Sequence, residues 1–289
     1  MIDLHIHTNY SDGTWDLKET LIEAEKSGTN IISITDHDTV EGHKELRMFD
    51  YSKLYSGKII NGVELNTVFN KYKFELLGYD FDINQIDSWI NKTYTKKEDI
   101  DLNKEFQILV SNCHKNNIKI DEDLTYTPSM GWPVDIVFAS VTKYEENKKY
   151  FSEEEWTNPN TFFRSCTCNV DFPLYIDFSY LYPDATEVAK QIRNAGGKVF
   201  LAHLFFYPLK NHLGFLDMLR EANVIDGVEV YHTLHTKEQF VILEEYCKKY
   251  NLLMCGGTDC HGDRKPKKCI GTGFGDMNIS EDIIKNWHY

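Results

Sequence analysis

Two histidines stand two residues apart in the opening stretch Met1-Ile-Asp-Leu-His-Ile-His-Thr-Asn-Tyr-Ser-Asp12, and a carboxylate follows them. If Ile2 to Thr8 is a strand, His5 and His7 leave it on one face, because side chains alternate along an extended chain. Imidazole nitrogen together with carboxylate oxygen suits Zn, Mn or Fe, so His5, His7 and Asp12 are candidate metal ligands. Donors of the same kind recur further along: His37 in Thr35-Asp-His-Asp38, then Glu64, Glu75 and His203, and finally Asp259 and His261 in Thr258-Asp-Cys-His-Gly262. One His-x-His is a weak signal. A series of such donors, nearly all at or just after a strand end, is a strong one.

The elements that must position them follow from hydrophobic spacing. Thr14 or Asp16 can cap a helix through Leu17, Leu21, Ile22 and Ala24 that stops at Gly28, and Asn30 to Thr35 is a short buried strand. Strand, helix and strand in that order predict a βαβ unit and a parallel sheet, with chemistry at the carboxyl ends. A helix is expected over Val40 to Phe49 and a strand over Lys58 to Asn66. Asn70-Lys71 should turn a hairpin into a returning strand, Tyr72 to Tyr79, that carries Glu75. From Ile83 to Tyr180 the pattern changes. Lys96 to His114 is helical in spacing and Glu122 to Phe178 has no clean period, so 83–180 reads as an inserted cap between barrel segments 1–82 and 181–289. Alternation then resumes: a helix opened by Pro183-Asp184, a strand Lys198 to His203, a helix Leu213 to Ala222, a strand Gly227 to Tyr231, a helix Lys237 to Tyr250, and a last strand Leu252 to Gly257.

Composition narrows the class. With 289 residues, 42% hydrophobic and 13% aromatic, the chain can bury a large core as a single barrel. Its net charge of −14 argues against a long nucleic-acid footprint but not against a small anionic substrate held by cations. No stretch approaches the length of a membrane span and no leader pattern is visible, so the expected location is cytoplasmic, with no membrane partner. The seven cysteines are an odd number and read as reduced thiols, Cys166 and Cys168 included. Nothing in the sequence specifies an oligomeric state.

His5-x-His7, Ser11-Asp-Gly13, Thr35-Asp-His-Asp38, Asn61-Gly-Val-Glu64, Leu76-Leu-Gly-Tyr79, Tyr182-Pro-Asp184, Gly196-Gly197, Leu201-Ala-His203, Gly227-Val-Glu-Val-Tyr231 and Gly257-Thr-Asp-Cys-His-Gly262 resemble, in this order, the polymerase and histidinol phosphatase (PHP) family. The resemblance covers roughly residues 1 to 80 and 182 to 275. It implies an α/β fold, a distorted (β/α)7 barrel of TIM-like kind with an inserted, largely helical cap. It also implies a hydrolase with two or three divalent ions of Zn, Mn or Fe. One ion would lie on His5, His7, Glu64 and Asp259, a second on Asp12, His37 and His261, and a third on Glu64, residue 75 and His203. Asp36 and Asp38 would accept hydrogen bonds that orient His37.

The implied activity is hydrolysis of a small phosphomonoester, with nucleotides among the candidates, by a metal-activated hydroxide. The same resemblance offers His235, then His232, as general acid or phosphate contact. The alternatives are a phosphodiesterase or 5'-3' exonuclease on short oligonucleotides, a histidinol phosphatase, or a catalytically silent metal-binding module. Three departures from the family pattern bear on substrate. Glu75 stands where a histidine is usual. Gly131-Trp-Pro-Val134 replaces an arginine-proline-histidine motif, and Leu204-Phe-Phe206 replaces a proline with a nearby basic residue. Arg164, Lys210, Arg264 and Lys265 are the basic residues that could grip phosphate in their place, and Lys265-Pro266 matches the family's ending.

Overall fold

Seven strands, hydrogen-bonded in the order of the sequence, curl into a nearly closed barrel. The computed structural model describes residues 1–95, 100–265 and 268–287. The strands are β1 (Ile2–Ile6), β2 (Ile31–Ile34), β3 (Lys58–Phe69), β4 (Tyr72–Tyr79), β5 (Lys198–Leu201), β6 (Gly227–His232) and β7 (Leu253–Gly257). The pairs β1–β2, β2–β3, β5–β6 and β6–β7 are parallel, as the βαβ pattern predicts. Strand β4 is antiparallel to both neighbours. Its turn, Asn70–Lys71, has positive φ at both residues, the geometry of a tight hairpin. Strand β3 runs on to Phe69, so Glu64 lies inside the strand rather than near its end. The barrel closes where the Asp259 N–H donates to the His5 carbonyl at 2.8 Å and the His7 N–H to that of Cys260 at 2.9 Å.

Helices α1 (Leu17–Ser27), α2 (Glu41–Leu46) and α3 (Ile83–Thr93) wrap one side of the barrel. Asp16 caps α1 in a reciprocal box with Glu19, and Gly28 ends it at φ 70°. Leu17, Leu21 and Ala24 then pack on Ile32 and Ile34 of β2. Helix α3 opens the expected insertion, and its Ile83, Ile86 and Ile90 share a core with Val188 and Ala189.

A separate hydrophobic cluster begins at Phe106 in α4 (Leu102–Lys115). It takes in α5 (Pro133–Val141), α6 (Glu153–Thr157), α7 (Pro159–Phe162), the wide turn Phe163–Thr167 and Ile176, and it reaches Val68 of β3. In the described part of the helix expected from Lys96, the first turn starts at Leu102 on the cap of Asp101; residues 96–99 lie outside the described residues. Helices α8 (Ala185–Asn194), α9 (His212–Glu221) and α10 (Lys237–Tyr250) alternate with β5 to β7. Among the described residues no helix is long and apolar enough to cross a membrane, and all seven cysteines are free thiols.

Two strand irregularities aim the site. In β1, Ile2 and Leu4 belong to the core closed by Trp287, whereas Ile6 packs under α1. The register with β2 shifts between Asp3 and Ile6, a bulge that sends His5 and His7 into the barrel mouth above Leu4. In β6 a second shift, between Glu229 and Tyr231, lets both Glu229 and His232 meet site residues although they are three apart. Strict alternation could not have predicted either. Beneath the site, Trp287 seals the barrel against Phe200 and Tyr79 and donates from Nε1 to the Met254 carbonyl at 3.1 Å.

Candidate metal centre

The donors expected from the sequence converge on one cavity of about 170 Å³, lined by Asp12, His37, Glu64, Glu75, His203, Asp259 and His261, with His5 and His7 beneath. Glu64 is the centre of the cluster. Its Oε2 lies 3.2 Å from Nε2 of both His5 and His7 and 3.3 Å from His37 Nδ1, and its Oε1 lies 2.9 Å from His203 Nε2. Asp259 Oδ1 stands 3.7 Å from His5 Nε2 and 3.5 Å from His7 Nε2. Asp12 Oδ1 faces His261 Nε2 at 3.1 Å, His7 Nδ1 at 3.7 Å and His37 Nε2 at 3.9 Å.

His203 and Asp259 both take positive φ, 24° and 56°, where the chain leaves β5 and β7. Such strained backbone is tolerated when the surrounding contacts over-determine it, and here it accompanies side chains turned into the mouth.

Residues outside the expected ligand set hold these donors in place. Glu229 of β6 accepts from His5 Nδ1 at 2.8 Å and from the His203 backbone N–H at 2.7 Å. A proton fixed on His5 Nδ1 leaves the Nε2 lone pair as the one open to a cation. His261 is set in the same way, since its Nδ1 faces the Asp259 carbonyl at 2.9 Å. Asp3 accepts from Thr258 Oγ1 and from the backbone of Thr258 and Gly271, which ties the loop after β7 to β1. Lys268 donates to Asp259 Oδ2 at 2.8 Å, and Lys265 reaches the same oxygen at 3.1 Å. The signals that could have revealed Glu229 and Asp3 were acidic residues inside otherwise apolar strands.

Five sequence expectations change. Asp36 does not orient His37: it accepts from Thr8 N and Oγ1 and from Ser11 Oγ, so it anchors the loop leading to Asp12. Asp38 bonds Asn66 N and Nδ2 instead. His235 does not line the cavity. Its Nδ1 donates to the Val230 carbonyl at 3.1 Å, and burial, helped by His232, lowers its pKa to about 4, so near neutrality it is a neutral imidazole and not an acidic imidazolium. Arg264 is half exposed and donates to Asp12 O and Oδ2 from outside the cavity. Lys210 is exposed and pairs with Asp171.

His232, Arg164 and Lys265 do line the cavity. His232 Nδ1 accepts from the Leu234 N–H, which puts its proton on Nε2, an atom without a partner 3.6 Å from Asp259 Oδ2. The segment between β4 and β5 contributes Phe163, Arg164 and Cys168 from its wide turn and the residues just after it. The Arg164 guanidinium stacks 3.5 Å from the centre of the Phe206 ring, so Phe206 serves as its shelf. Burial pushes the Cys168 thiol up to about 11. Pro266 lies outside the described residues.

The electrostatics are those of cation sites. Burial works against ionisation of Glu64, Asp259 and Asp12, yet the surrounding imidazoles, joined by Lys265 at Asp259, hold all three below the usual carboxylate range. Glu229 is held at about 2 against its own burial, chiefly by His5. Burial opposes charge on His5, but Glu229 and Glu64 outweigh it and raise its pKa. His7 goes the other way, lowered to about 3 by burial and by the charges of His261 and His37. Among the described residues, His7 Nδ1, Asp12 Oδ1, His37 Nδ1 and His203 Nδ1 are buried polar atoms without a hydrogen-bond partner. Lone pairs of this kind, gathered around several ionised carboxylates, fit divalent cations of the Zn, Mn or Fe type.

A barrel whose strand ends gather imidazoles and carboxylates around a small cavity with basic walls is the architecture of a metal-dependent hydrolase acting on phosphate esters. The chain belongs to the PHP domain family, which it matches over residues 3–201. It is similar to the phosphoribosyl 1,2-cyclic phosphate 1,2-diphosphodiesterase of Eggerthella lenta, with 22% identity over 272 residues covering 90% of this chain and 94% of that protein. It also resembles a 5'-3' exoribonuclease of Haemophilus influenzae, 32% identical over 80 residues, which is 28% of each chain. A solved structure from Bifidobacterium adolescentis, described as a metal-dependent phosphoesterase, superposes with a TM-score of 0.61 at 24% identity, covering 99% of this chain and 94% of its own, and shares the fold.

Proposed function

We propose that this protein hydrolyses a small phosphomonoester, with its metal ligands drawn from His5, His7, Asp12, His37, Glu64, His203, Asp259 and His261. The observation that carries the reading is the convergence of these donors on a single cavity that also exposes Arg164 and Lys265. Bound divalent cations would lower the pKa of a water and neutralise charge on the phosphoryl oxygens.

The chain's own groups do the rest. Arg164, kept planar on Phe206, presents N–H donors toward phosphoryl oxygens. Lys265 brings a second positive charge to the wall beside Asp259. Burial lowers the pKa of His232, so its Nε2–H, without a partner among the described residues, serves as a neutral hydrogen-bond donor to the oxygen of the leaving group. Room for that group exists next door: an open groove of about 640 Å³ shares Asp12 and His37 with the cavity and is lined by Tyr10, Tyr94, Trp132 and Tyr182. Aromatic walls of this size suit a nucleoside-sized group.

A second reading, a small phosphodiester, is favoured by the named activity of the Eggerthella lenta relative, whose likeness spans 90% of this chain. One panel separates the readings. Protein with verified Mn or Zn content is assayed on p-nitrophenyl phosphate, adenosine 3',5'-bisphosphate, histidinol phosphate, a ribose 1,2-cyclic phosphate and a short 5'-phosphorylated oligonucleotide. Turnover confined to monoesters supports the first reading, and turnover of the cyclic or oligomeric diester supports the second. No turnover of any member by metal-loaded protein refutes both.

A further inference from the structure

Glu64, Glu75 and His203 bring donor atoms close enough to share a cation, yet neither oxygen of Glu75 is free. Lys73 Nζ donates to its Oε1 at 2.7 Å, and the Tyr207 hydroxyl donates to its Oε2 at 3.0 Å. The Glu75 backbone N–H in turn donates to the Tyr207 oxygen at 2.9 Å, which locks the tyrosine in place. Lys73 and Glu75 stand two apart on β4 and so share a face, and each side chain is only 13% exposed. A divalent ion on Glu75 would have to break this buried pair or sit against the ammonium, and both are costly where water cannot screen them.

The ammonium is also well placed to act. Lys73 lines the same cavity as Glu64, His203 and Asp259, and only one of its three N–H groups is spent on Glu75. Arg164 lines that cavity too. The two positive side chains thus face one cavity, Lys73 from β4 and Arg164 from the turn Phe163–Thr167.

We propose that this protein works with two divalent cations, not three, and that the Lys73 ammonium, seated by Glu75 and Tyr207, takes the place of a third cation and contacts an anionic oxygen of the substrate. The identity of that anion rests on the phosphoester reading; the count of cations does not.

The test is metal analysis of protein saturated with Mn or Zn and desalted, together with calorimetric titration of inorganic phosphate. Wild-type protein should hold two ions per chain. The double variant K73M/E75Q removes both charges at once, so neither is left buried alone; it should keep two ions while its affinity for inorganic phosphate falls about tenfold, the loss expected for one charge-assisted contact. K73M/E75H, which frees position 75 for a neutral nitrogen donor, should gain a third ion. Three ions on the wild type overturn the proposal, and that count depends on no variant folding. Unchanged phosphate affinity in K73M/E75Q at two ions overturns the role of Lys73. A wild type that holds two ions and binds phosphate through Lys73, yet turns over no ester in the panel, instead refutes the function and leaves the ion count standing.

Discussion

His5 Nδ1 and Glu229 Oε1 lie 2.8 Å apart although 224 residues separate them in the chain. Through this contact β6 fixes the tautomer of a histidine on β1, and the other Glu229 oxygen fixes the backbone at His203. Glu229→Gln keeps the shape but loses the charge. We expect metal affinity to fall about 10- to 100-fold, the range for removing a carboxylate behind a ligating histidine. Metal titration checks this, with circular dichroism showing an unchanged fold; wild-type affinity would refute the role given to Glu229.

His5→Ala together with His7→Ala removes two of the nitrogens closest to Glu64. Bound metal should be lost from the centre and turnover of the ester panel should fall to background. Retained activity at wild-type metal content would remove both residues from the ligand set.

Acid lability of the metal-stripped protein should follow the buried groups. Glu229 and Glu75 are each held at about 2 against an ordinary 4.5. The stability they confer is therefore complete above pH 4.5 and lost as the pH falls toward 2. His7, at about 3 against 6.5, stays neutral in the fold while the unfolded chain takes up a proton, so it also withdraws stability as the pH falls below 6.5. His5 is raised, and its contribution is present below 6.5 and lost only as the pH rises through its folded value. Between pH 6.5 and 4.5 the loss from His7 is opposed by raised carboxyls such as Glu105, so thermal melts should show Tm falling steeply below about pH 4.5. A flat Tm across that range would contradict these assignments.

Glu105 of α4 is a buried carboxyl raised to about 7, chiefly by burial, with a smaller push from Asp135. It costs stability progressively as the pH rises from 4.5, where the unfolded chain ionises, to about 7. Glu105→Gln should stabilise the protein at about pH 8 by roughly 2 kcal/mol and change little at about pH 5. Equal effects at both pH values would rule out this origin.

Trp287 is 2% exposed and closes the barrel floor against Phe200 and Tyr79. Trp287→Ala should cost about 3–5 kcal/mol in denaturant unfolding. A loss under about 1 kcal/mol would mean the floor collapses around the gap.

The donor series His5, His7, Asp12, His37, Glu64, His203, Asp259 and His261, and the strands that carry it, were legible in the sequence, because period-two patterning and turn residues report local geometry directly. The Asn70–Lys71 hairpin and the caps of α1 and α8 are local signals of the same kind. What lay outside the sequence depends on partners distant in the chain. The bulges in β1 and β6 arise from register between strands, which a single strand does not encode. Asp36 and Asp38 looked like supports for His37, but the loop at Thr8 and the side chain of Asn66 reach them first. Glu75 reads as a possible ligand until Lys73 and Tyr207 are seen on its two oxygens. Residue type and spacing determined which donors exist; tertiary packing decided their surroundings, because Lys73 and Tyr207 engage both oxygens of Glu75, whereas Lys265 and Lys268 share one oxygen of Asp259 and leave Oδ1 facing His5 and His7.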